Sequence, residues 1–92
     1  MNEEKPGKFT LIIKPNAEKS LRSLERKVQV RIVNKLRQIV VNPYSADSLK
    51  LVGGDGQRRV RVGDFRIIYS VEDQLLIVTV VKLGHRREIY DR

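Results

Sequence analysis

At 92 residues and without cysteine, the chain has the size of one small domain and must hold together without disulfides, which also excludes thiolate metal sites and cysteine nucleophiles. Charged residues make up 33% and hydrophobic residues 40%, and the longest largely apolar run, Leu75 to Val81, is strand-sized, well short of the ~18 residues a membrane span needs. Nineteen Lys and Arg against eleven Asp and Glu leave a formal net charge of +8, which favours an acidic protein or a polyanion as partner.

Residues 1–8 are polar, with Pro6-Gly7 among them, and read as a flexible tail; residues 9–92 read as one domain. No charged-then-apolar leader opens the sequence, so a cytoplasmic protein is the simplest expectation. Phe9 to Ile13 is apolar and β-branched and predicts the first strand, which Lys14-Pro15-Asn16 breaks. Asn16 is the expected N-cap of the helix that follows, with Glu18 in its first turn. Apolar residues then fall at 17, 21, 24, 28, 32, 36 and 39/40, a helical stripe. The stripe fits one long helix or two joined near Glu25 to Lys27, and periodicity does not choose between them. Asn42-Pro43 ends the helical region. A loop is expected to about Gly56, with Leu49 and Leu51 tucked inward.

Gly63-Asp64 lies between two alternating runs and predicts a two-residue hairpin loop, with glycine where φ must be positive. The register follows: Val62 faces Phe65, Arg61 faces Arg66, Val60 faces Ile67 and Arg59 faces Ile68. Period-two alternation sends Val60, Val62, Phe65, Ile67 and Tyr69 to one side and Arg59, Arg61 and Arg66 to the other. Like charges directly across two strands destabilise the pair, so three converging guanidinium groups point to a bound anion, with phosphate the leading candidate. A second turn is expected at Glu72-Asp73-Gln74, and then a strand from Leu75 to Leu83, apolar on both faces as for a central strand covered on each side. The order β-α-α-β-β-β with a short tail predicts an α+β fold, an antiparallel sheet with helices on one face.

The tail, Gly84-His85-Arg86-Arg87-Glu88-Ile89-Tyr90-Asp91-Arg92, leaves the end of that strand, and in a helical turn Arg86 and Tyr90 would share a side. If the tail meets the arginine face, the site holds several guanidinium groups, a phenol and an imidazole, with no carboxylate cluster for a metal and no cofactor motif. That inventory suits cleavage of RNA by its own 2′-OH, which needs a base, an acid for the departing 5′-oxygen and cations around the phosphorane. Neighbouring cations favour the ionised form of a phenol, so the arginines could both hold phosphate and activate Tyr90.

The stretches Ala17-Glu18-Lys19-Ser20-Leu21, Asn42-Pro43, Leu49-Lys50-Leu51, Arg59 to Tyr69 and Gly84 to Tyr90 together resemble the RelE branch of the RelE/ParE toxins. The most specific parts are the hairpin segment RVGDFRIIY and the tail segment GHRREIY. The resemblance implies a RelE-like α+β domain with its two helices as a hairpin. It implies the toxin of a type II toxin–antitoxin system: a metal-independent endoribonuclease that cuts mRNA in the ribosomal A site and leaves a 2′,3′-cyclic phosphate. The family's site residues fall at Arg59, Arg61, Arg66, Arg86 and Tyr90. Tyr90 would be the general base, Arg86 would act as acid or orient the leaving group, and Arg59, Arg61 and Arg66 would bind RNA and stabilise transition-state charge. Positions 59 and 61 carry Arg where the best-studied member type of the family has Lys, and the hairpin loop is shorter. His85 is a second option for acid–base work. A cognate acidic antitoxin, bound in a hetero-oligomer, is the implied protein partner. The alternative from the same superfamily is a ParE-type toxin that inhibits gyrase without nuclease activity.

Overall fold

A computed structural model of the chain describes residues 9–45, 47–51 and 56–87. In chain order the elements are β1 (Thr10–Ile13), α1 (Pro15–Arg22), α2 (Arg26–Val41), β2 (Ser48–Lys50), β3 (Gln57–Val62), β4 (Phe65–Glu72) and β5 (Ile77–His85). The helix after β1 starts earlier than the Asn16 cap predicts: Lys14 is the capping position, it makes no side-chain cap bond, and Pro15 occupies the first turn. Proline suits that place because its fixed φ is already helical and its missing N–H has no partner to lose. Glu18 does sit in the first turn, where Arg22 Nη2 donates to its carboxylate at 2.9 Å.

The helical stripe is two helices. Their break needs no glycine or proline because side chains take up the carbonyls that α1 leaves open. Ser23 Oγ donates to Ser20 O at 2.7 Å, and Gln29 Nε2, from α2, donates to Leu21 O and Arg22 O at 3.0 and 3.1 Å. The apolar stripe runs unbroken across the joint: Ala17, Ile32, Leu36 and Ile39 are buried, with Leu21, Leu24 and Val28 packed against them.

The five strands form one sheet in the order β1-β5-β4-β3-β2. All neighbours are antiparallel except β1, which pairs parallel with β5, so the expected antiparallel sheet is mixed at that edge. At the other edge, part of the predicted loop is the short strand β2, with Ser48 opposite Val60 and Leu49 opposite Arg59. Leu49 is not tucked inward but 53% exposed; Leu51 is buried and contacts Ile68. The helices cover the face that presents Val60, Val62, Ile67, Tyr69, Val78, Val80 and Leu83. Tyr69 is fully buried there, and its hydroxyl donates to Pro43 O at 2.7 Å, which satisfies the polar atom.

The last strand starts at Ile77, because residues 73–76 form the turn and Leu76 takes a left-handed φ of 55°. Its unbroken apolar run has a different cause from burial on both faces. Ile68 pairs with Lys82 and Tyr69 with Val80, leaving Val81 unmatched as a bulge. The bulge reverses the alternation, so Val78 and Val80 before it and Leu83 after it all face the core. Ile77, Thr79 and Val81 are only half-buried. Among the described residues, no helix is long and apolar enough to cross a membrane.

Candidate functional site

The β3–β4 hairpin turns at Gly63, with φ of +61°, and Asp64; its register pairs Val62 with Phe65, Arg61 with Arg66, Val60 with Ile67 and Arg59 with Ile68. Each pair is the one that the turn residues predict. Arg59, Arg61 and Arg66 therefore share the sheet face away from the helices. Leu51 and Ile68 give that face an apolar floor beside Arg59, which stands opposite Ile68. On the other side Arg66 is opposite Gly84 of β5, so that neighbour contributes no side chain.

The tail closes on the same place. Arg86 N donates to Asp64 O at 2.8 Å, which ties the residue after β5 to the hairpin turn. The Arg66 guanidinium is pushed below its ordinary pKa, first by burial and then by the charges of Arg59, Arg61 and Arg86. Its Nε is enclosed. Four of the five predicted site residues are thus gathered into one cationic patch; the fifth, Tyr90, lies outside the described residues. Such a patch favours a ligand that carries negative charge.

Neighbouring cations serve other ends. Arg58 alternates to the helix side, where Nε donates to Ser48 Oγ at 3.1 Å and the guanidinium lies 5.1 Å from the Tyr44 ring centroid. His85 also points to the helix side. It stands opposite Phe65, their rings meet edge to face at 5.4 Å, and its Nδ1 accepts from Arg87 N at 3.1 Å. The imidazole is therefore on the face opposite Arg66.

The model of the ParE toxin of type II toxin–antitoxin systems matches residues 11–90. The chain belongs to the ParE toxin family. Within that superfamily the toxin is 30% identical over 81 residues to a RelE-like toxin protein of Escherichia coli, covering 86% of this chain and 84% of that one. The structure of the RelE–RelB complex of Pyrococcus horikoshii OT3 aligns with a TM-score of 0.77 at 26% identity, over 89% of this chain and 99% of that one. The isolated E. coli RelE toxin aligns at 0.75 with 24% identity, over 84% and 83% of the two chains. The YoeB/ParE toxin of Agrobacterium tumefaciens, 15% identical, aligns at 0.73 over 84% and 98% and shares the fold.

Two features of the toxin's site escape a reading of the sequence. The Leu51–Ile68 floor depends on β2, which is only three residues long and exists through its pairing. Arg31, from α2, reaches the hairpin turn: a Cβ built on Gly63 would stand 2.9 Å from its Nη2. Arg31 falls outside the apolar stripe of the helix, and its spacing carries no sign of that contact.

Proposed function

We propose that this toxin is a ribosome-dependent endoribonuclease that cleaves mRNA in the A site by attack of a ribose 2′-OH on the adjacent phosphorus. The P–O5′ bond breaks, leaving a 2′,3′-cyclic phosphate and a 5′-OH. The observation that carries this reading is the convergence of Arg59, Arg61, Arg66 and Arg86 on one face, with like charges directly opposed at Arg61 and Arg66. Like charges set directly opposite each other across two strands repel, and a bound anion relieves that repulsion. The crowded phosphorane is the species this face stabilises most, because charge accumulates on its oxygens.

In this scheme Arg59, Arg61 and Arg66 hold the scissile phosphate. Tyr90, as phenolate, takes the 2′-OH proton, and Arg86 orients the 5′-oxygen and supplies its proton. Guanidinium groups close to a phenol favour its phenolate, which is how Tyr90, with an ordinary pKa near 10, would serve as a base near neutrality in this scheme. His85 is the weaker candidate because its ring lies with Phe65 on the other face. The scheme asks for no metal.

The protein partner in this reading is an acidic antitoxin, held in a cytoplasmic hetero-oligomer. The P. horikoshii relative was solved with RelB, and an E. coli relative at 25% identity is an intact RelBE complex. The +8 charge of this chain suits an acidic segment. An apolar groove of about 380 Å³ between β1 and α2, lined by Phe9, Leu11, Ile13, Val33 and Leu36 with Arg37 among them, suits its apolar residues.

The test is to add the purified protein to ribosomes programmed with mRNA and to map new 5′ ends. Wild type is expected to cut in the A site, and Arg66→Ala and Tyr90→Phe to abolish cutting with the thermal transition intact. Full activity in both variants would remove the mechanism. The match to the ParE model supports a second reading, gyrase inhibition. DNA-damage signalling after induction, with transcripts uncut, would establish it instead.

A further inference from the structure

Gly63 is needed twice over at the hairpin turn. Its φ of +61° is left-handed, and an added Cβ would stand 2.9 Å from Nη2, 3.3 Å from Nη1 and 3.4 Å from Cζ of Arg31. Three guanidinium atoms at such similar range mean that the group is laid over the turn instead of extending into solvent. Arg31 is an exposed residue of α2, yet its head group crosses from the helix layer to the tip of the hairpin. Among the described residues it makes no hydrogen bond or ion pair, whereas Arg22 and Lys35 on the same helical layer are paired with Glu18 and Asp47. With no such partner among the described residues, the Arg31 head group at the turn is available to a ligand from outside the chain.

Its position names the ligand class. Gly63 is two residues from Arg61, and two residues span at most about 7 Å of backbone. Arg86 is tied to the same turn through Asp64 O. The turn thus has Arg61 and Arg66 beside it on the open face and Arg31, from α2, against its glycine, so a strand lying on the open face and rounding the turn reaches Arg31 next.

We infer that Arg31 binds a second phosphate of the RNA strand whose scissile phosphate the Arg61–Arg66 face takes. This rests on the endoribonuclease reading, and it extends the bound strand past the cleavage point on the α2 side. A planar guanidinium fits a phosphate through paired N–H donors, and it needs no base identity to do so.

The experiment uses the full chain and a fluorescein-labelled oligoribonucleotide with 2′-O-methyl at every ribose, which cannot be cut. Fluorescence anisotropy gives affinity over a series of KCl concentrations. Arg31→Gln is expected to weaken binding and to make the slope of log K against log salt shallower by about 0.7, the increment for one phosphate contact on a single strand. Arg31→Lys should restore the slope, and Arg26→Gln, at the exposed start of α2, should leave it unchanged. An unaltered slope in Arg31→Gln, or an equal fall in Arg26→Gln, overturns the inference. So does an Arg31→Gln variant that loses affinity for polyglutamate while RNA binding stands, which would assign the residue to an acidic protein. Failure of the wild type to cut programmed ribosomes is a separate result and counts against the endoribonuclease reading itself.

Discussion

Arg61 and Arg66 face each other across the hairpin with the same charge, and Arg59 and Arg86 add theirs to the field around Arg66. Replacing Arg61, the exposed member, by threonine removes a cross-strand repulsion and keeps a residue suited to a strand. Arg61→Thr is expected to raise stability by a few tenths to about 1 kcal/mol in urea denaturation at low salt. The gain should shrink toward zero in 1 M salt, where charges more than about 3 Å apart are screened. The same variant should lower cleavage about 100-fold, the scale of losing one preorganised contact to transition-state charge. A variant both less stable and fully active would mean that the paired arginines do not serve an anion.

Gln29 shows why one boundary was hidden and another was legible. Gly63-Asp64 carries its own instruction: glycine permits the turn, and a two-residue turn sets every cross-strand partner through period-two alternation. The joint between α1 and α2 has no such local mark, because the donors that close α1 come from Gln29, on the next helix, eight residues from one of its acceptors. Strand β2 and the Val81 bulge are equally non-local, since each is defined by what it pairs with. The arginine face was readable because it follows from the hairpin alone; the nearness of Arg86 and Arg31 needed the folded chain. Gln29→Ala should cost about 1 kcal/mol. Amide exchange should speed up in residues 15–22 more than in the sheet, since the frayed element opens first.

The far end of the sheet has its own clamp. The Tyr44 hydroxyl donates to the Asp73 carboxylate at 2.6 and 2.8 Å, tying the segment after α2 to the β4–β5 turn. That hydrogen bond, then burial and the Asp73 charge, hold the Tyr44 phenol above its ordinary value of 10.0. A phenol raised on folding stabilises the fold while protonated, so its contribution is full below pH 10 and is lost as pH rises through the folded value. With Tyr44 46% exposed, solvent limits the effect, and Tyr44→Phe should cost only a few tenths of a kcal/mol at pH 7. Denaturation of both proteins from pH 7 to 11 checks this: the gap should close above pH 10, and a gap that widens there would refute the assignment.

A net charge of +8 on 92 residues makes self-repulsion a property of the entire chain, and the arginine face concentrates it. Any anion that prefers the native face must then stabilise the fold by mass action, whichever reaction the toxin performs. Inorganic phosphate is the smallest test: at ten times its dissociation constant it should add about 1.4 kcal/mol, seen as a rise in Tm over chloride at equal ionic strength. Phosphate also strengthens burial in general through exclusion from protein surfaces, so the rise alone does not locate the site. Arg61→Thr separates the two causes, because exclusion acts on the variant as on the wild type whereas binding at the hairpin does not. A rise of equal size in both proteins would place phosphate in the solvent and leave the convergence of Arg59, Arg61, Arg66 and Arg86 without a ligand.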